Sequence, residues 1–200
     1  MHGLINRGLQ GFLTDTYGQD TWARIADLAA LAPEGFEALL TYDPALTVAV
    51  LDAAVATLGK PREVLLEDLG TYIVSHPATE PVRRLLRFGG LDFADFMNSL
   101  DELPGRARLA VPDLCLPDIE TTEVAPDAFV VICRSHFAGF GLILAGLLRA
   151  MADDYGALAL IEWTGECPDA CPCCEQISVR LLEGAYSEGR QFALFRSEAV

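Results

Sequence analysis

Residues 128–163 read AFVVICRSHFAGFGLILAGLLRAMADDYGALALIEW. Ala128 to Cys133 is a run of β-branched and aromatic residues of strand length, Gly139 to Asp154 is an apolar stretch of helix length, and Ala157 to Trp163 returns to strand. The middle segment is apolar on nearly every side, so it reads as a buried helix packed against the strands around it. Further along, Gln176 to Leu182 is a second strand that faces residues 157–163 across a cysteine-rich connection, and Gln191 to Phe195 adds a short edge.

Working back from residue 128, the chain turns helical before about residue 110. Leu4, Ile5, Gly8, Leu9, Phe12 and Leu13 recur at helical spacing between Gly3 and Tyr17, and a second helix opens at Asp20-Thr21-Trp22 and ends before Pro33. Asp43-Pro44 starts a third helix that Gly59-Lys60-Pro61 closes, because proline suits the first helical turn and glycine the position after the last. Residues 61–75 and 81–88 give two more, broken at His76-Pro77. Asp92 to Leu103 carries Phe93, Phe96, Met97, Leu100 and Leu103 on one face, and Pro104-Gly105 is expected to stop it. Helices first and strands later predict an α+β fold within one domain, residues 1–200. Its helical N-terminal half covers about 1–110, followed at about 111–197 by an antiparallel sheet with a packed helix.

Composition narrows the function classes. At 52% hydrophobic and 22% charged residues the chain can bury a full core. A net charge of −15, with Lys60 the sole lysine, repels phosphate and speaks against nucleic acid or anionic membrane faces as partners. The apolar run Phe137 to Leu148 is twelve residues, short of the roughly 20 that span a bilayer. The N-terminus shows no signal-peptide pattern, so the expected site of action is cytoplasmic. No phosphate loop, nucleophile elbow or metalloprotease helix is present, which predicts a protein that is not an enzyme. Asp153-Asp154 and Asp101-Glu102 diverge by about 100° on a helix and are expected to be solvated surface charge.

Four of the six cysteines fall within Cys167-Pro-Asp-Ala-Cys171-Pro-Cys173-Cys174. In a reducing compartment they read as thiolates and not as a disulfide framework, and Cys167, Cys171, Cys173 and Cys174 are candidate ligands for one zinc ion, with soft sulfur suiting a tetrahedral site. A thiol redox switch, or a small oxidoreductase using Cys171 with Cys173 or Cys174, is the alternative. Cys115 and Cys133 lie in apolar stretches and are expected in the core.

The N-terminal run MHGLINRGLQGFLTDTYGQDTW, the segment LLRFGGLDFADFMNSLDELPGRARLAVPDLCLP and the strand-helix-strand tail together resemble the haem-nitric-oxide/oxygen binding (H-NOX) family, over Met1 to about Glu183. The resemblance implies a helical part and an antiparallel sheet holding one haem, used to sense a diatomic gas and to regulate a histidine kinase or a cyclic-dinucleotide enzyme. In that family a histidine ending an LDxLH motif ligates iron and a Tyr-x-Ser-x-Arg motif binds the propionates. Here the first motif reads Leu100-Asp101-Glu102-Leu103-Pro104, and the second falls within Ile132 to Ala138, where only Ser135 or Arg134 matches.

Proline has no lone pair for a metal, so the resemblance combined with Pro104 predicts a sensory domain that holds no haem. Its pocket, with Phe96, Leu100 and Leu103 in the wall, is then filled by side chains or takes another apolar ligand. Phe88, Phe93, Phe96, Met97 and Leu100 are the expected fillers, since an empty cavity costs about 24 cal/mol per Å³. The competing reading is a haem sensor in which His76 or His136 has taken over the iron.

Overall fold

The structure, a computed structural model, describes residues 1–32, 34–167 and 174–191. Its helical half runs α1 (Gly3–Tyr17), α2 (Gln19–Leu28), α3 (Pro44–Leu58), α4 (Arg62–Ser75), α5 (Glu80–Arg87), α6 (Phe93–Asn98) and α7 (Leu103–Ala110). The sheet half is β1 (Asp118–Ala125), β2 (Ala128–Arg134), α8 (Phe140–Tyr155), β3 (Leu158–Glu166) and β4 (Cys174–Glu183). All strand pairs are antiparallel, in the order β1-β2-β4-β3.

The local signals act as the sequence implies. Asp43 Oδ1 accepts from the Ala45 N–H at 2.9 Å ahead of Pro44, and Gly59 closes α3 in the left-handed region at φ 65°. Phe129, Val131 and Cys133 of β2 alternate inward and meet Ile177 and Val179 of β4, and α8 lays Leu144, Leu148 and Met151 over them. Against the other side of α8 lies α4. Gly70 and Gly146 let their backbones close up, because a Cβ at either would run into the Ile143 or Glu67 carbonyl. A second apolar cluster joins α1 to α4 with Phe137, Leu142 and Ile143. Among the described residues no helix is long and apolar enough to cross a membrane.

Four expectations are corrected. Pro104 does not stop a helix: α6 ends at Asn98, a 3-10 turn covers Leu100–Glu102, and Pro104 sits in the first turn of α7, where its missing N–H has no intrahelical partner to lose. Phe88 caps the end of α5 and is 64% exposed, so it fills no core. Cys115 lies exposed in the connection before β1. Asp154, expected at the surface, is buried against Arg83. The edge expected at 191–195 lies outside the described residues beyond Gln191.

Candidate functional site

The stretch from α5 to α7 is built to present an apolar face. Asp92 caps α6 by accepting from the Asp95 N–H at 2.9 Å. Phe93, Phe96 and Met97 then face inward, with Leu100 and Leu103 following on the 3-10 turn and α7. Polar groups hold the turn from outside. The Ser99 hydroxyl donates to the Gly89 carbonyl at 2.5 Å, and Arg106 Nη2 donates to the Ser99 carbonyl at 2.8 Å.

Phe96 and Leu100 are 0% exposed and Leu103 is buried, all in one cluster with Phe129, Val131, Cys133, Leu144 and Leu148. Phe96 packs against Phe93 and Tyr155, with ring centroids 6.0 and 5.8 Å away. A separate crevice lies between α1, α3, α4 and the start of α8, lined by Ile5, Leu51, Leu69, Phe140 and Ile143 among others. Its volume is about 20 Å³ and its lining is apolar, whereas small-molecule pockets span about 300–1,000 Å³.

As an anchor for haem these residues do not fit. Pro104 is buried at the start of α7 and offers iron no electron pair. Arg134 points to solvent and pairs with Glu120 at 2.8 Å. Ser135 Oγ accepts from the Phe137 N–H at 3.0 Å. The histidines are engaged or outside. His2 Nδ1 accepts from the Leu4 N–H at 3.1 Å, His76 stacks on Tyr72 with centroids 4.7 Å apart and lies 3.6 Å from Asp15, and His136 is exposed.

The cysteine reading changes as well. Cys167 and Cys174 face each other where β3 and β4 end, their Cα atoms 5.4 Å apart, and are joined as a disulfide. The Cys167 N–H donates to the Cys174 carbonyl at 2.9 Å across the same closure. Sulfurs paired in this way are not the thiolates that a zinc site would use. Cys171 and Cys173 lie outside the described residues. Among the described residues no cluster of three metal-ligating side chains occurs.

Sequence reasoning passed over Glu175. This buried carboxylate accepts from the N–H groups of Gly141 and Gly139 at 2.8 and 3.2 Å, which places a negative charge at the N-terminus of α8. Its register partner is Cys133, whose thiol is pushed up to about 12 by burial, with the Glu175 charge adding to it. Alkylation at neutral pH is therefore expected to label exposed Cys115 readily and to leave Cys133 unmodified until the protein unfolds, which peptide mapping would read. Because the folded value lies above the ordinary 9.0, the stability contributed by Cys133 is complete below pH 9.0 and is lost as pH rises toward about 12. Cys133→Ala should remove that part of the alkaline loss.

The sequence profile of the Haem-NO-binding family matches residues 2–162. Among curated proteins the chain is similar to soluble guanylate cyclase 89Db of Drosophila melanogaster, 22% identical over 166 residues, which are 83% of this chain and 25% of that protein. It is also similar to soluble guanylate cyclase gcy-31 of Caenorhabditis elegans, 23% identical over 154 residues, 77% of this chain and 22% of that one. The chain thus spans about a quarter of the length of the curated relatives it matches. Among solved structures, the Fe(II) unliganded H-NOX protein from K. algicida superposes with a TM-score of 0.76 at 16% identity, covering 94% of this chain and 100% of that one. A mutant H-NOX of T. Tengcongensis does so with a TM-score of 0.76 at 15% identity, covering 92% and 99%.

Proposed function

The chain belongs to the Haem-NO-binding family, and on that premise we propose that it is a non-catalytic sensory domain of H-NOX type that works without haem and regulates a signalling partner by protein contact. One observation supports this reading: Pro104, which the resemblance sets at the family's iron-ligand position, is buried in the first turn of α7 and has no lone pair for a metal. The packing beside it agrees, since Phe93, Phe96, Met97 and Leu100 fill the core around that turn. With no haem to sense through, the input is a small apolar ligand or a change in a partner. The names of the relatives favour a cyclase-type output over a histidine kinase or a cyclic-dinucleotide enzyme. A cytoplasmic site of action goes with this reading, and in that reducing compartment the Cys167–Cys174 pair is open to reduction. The Cys167–Cys174 pair favours a structural part for the end of the β3–β4 hairpin over a zinc site.

The test is an absorption spectrum of protein expressed in cells supplied with a haem precursor. We expect no Soret band after dialysis, and none in Pro104→His either, because a new ligand does not empty a filled core. A stoichiometric Soret band in the unsubstituted chain would contradict the reading. Its loss in His76→Ala or His136→Ala would then identify the residue that had taken over the iron.

A further inference from the structure

Three parts of the chain meet at the C-terminal end of α8. Asp154 is 1% exposed, and its Oδ1 accepts from Arg83 Nε at 2.7 Å. Arg87 Nη1 stands 3.6 Å from Oδ2, and Arg190 Nε stands 3.8 Å from Oδ1. Arg83, itself buried, gives its other donors to Glu80 at 3.1 Å and to the Gln191 carbonyl at 3.2 Å. Residues 184–191 lie across this end of the helix. The N–H groups of Tyr186 and Ser187 donate to the Gly156 carbonyl at 2.9 and 3.0 Å, and that of Arg190 donates to the Asp154 carbonyl at 2.9 Å.

The neighbouring residue looks the other way. The Tyr155 ring packs on Phe93 and Phe96 of α6, its hydroxyl donates to the Gly90 carbonyl at 3.1 Å, and Arg87 stacks on its face 3.9 Å from the centroid. Arg83 and Arg87 both belong to α5, which leads through Gly89 and Gly90 into α6.

We propose that residues 184–191 form a strap whose seating on α8 is coupled to the packing of α6 through the adjacent residues Asp154 and Tyr155. Asp154 and its arginines hold the strap, while Tyr155 and Arg87 hold α6. A displacement of α6 therefore moves the last turn of α8 on which the strap is seated. By reciprocity, release of the strap loosens α6. The arrangement stands on these contacts alone, independent of whether haem or side chains fill the core.

Gly189→Ala tests this without altering any side chain of the cluster. A Cβ at 189 would lie 2.8 Å from the Asp154 carbonyl oxygen and from Tyr155 backbone atoms, so the strap must lift. Amide exchange of the full chain is expected to quicken about tenfold or more at Tyr186, Ser187 and Arg190, and severalfold at Phe96 and Ser99, while Phe12 and Leu13 of α1 stay unchanged. Unchanged strap amides would overturn the strap. Freed strap amides with unchanged Phe96 and Ser99 would overturn the coupling. Should α1 quicken as much as the strap, the reverse variant Phe93→Leu decides: faster exchange at Ser187 and Arg190 upholds the coupling, and no change there overturns it.

Discussion

Asp154→Ala is expected to lower the free energy of unfolding by about 3–5 kcal/mol, the usual cost of removing one partner from a buried ion pair. The variant leaves the Arg83 guanidinium, 4% exposed, with Glu80 and the Gln191 carbonyl as its remaining partners among the described residues. Asp154→Asn keeps an acceptor for Arg83 Nε but removes the charge, so it should fall between the parent and the alanine variant. Urea unfolding with an unchanged m-value reads the effect as stability. A loss under about 1 kcal/mol for Asp154→Ala would mean that the pair is solvated and behaves like a surface salt bridge.

Phe96→Ala is expected to cost about 3–5 kcal/mol as well, for a different reason. The side chain is 0% exposed between Phe93 and Tyr155, so its removal leaves a cavity that the sheet and α8 cannot collapse into without moving. The result also separates two pictures of the core. In a packed interior the truncation is expensive. Beside a vacant cofactor slot it would be cheap, because the ring would already have empty space on one side. Thermal unfolding of Phe96→Ala alongside Phe88→Ala, whose side chain is exposed, gives the contrast.

What could be read in advance follows the range of the interactions involved. Helix α3 was legible because its signals are local: Asp43 at the cap, Pro44 in the first turn and Gly59 after the last. The strand, helix and strand of residues 128–163 were legible from the length and residue types of their apolar runs, and β2, α8 and β3 fall there. Asp154 was not, since its partner Arg83 lies 71 positions away and a pair of adjacent acids at a helix end has the pattern of solvated charge. Pro104 was misplaced because proline both stops a helix and starts one, and the 3-10 turn before it decides for starting. Likewise, the cysteine spacing suggested ligands, whereas the pairing of Cys167 with Cys174 depends on how the ends of β3 and β4 face each other. Glu175 gave no signal at all, because a carboxylate in a strand declares its role only when the N-terminus of α8 is brought over it.

Native mass spectrometry of the unsubstituted chain, purified from cells with ample haem, tests the central claim most directly. Closure of the core around Phe96 and Leu100, with a proline at 104 that cannot ligate iron, predicts the mass of the bare 21.6 kDa chain, alone or in whole multiples. A dominant species heavier by one haem per chain would contradict it.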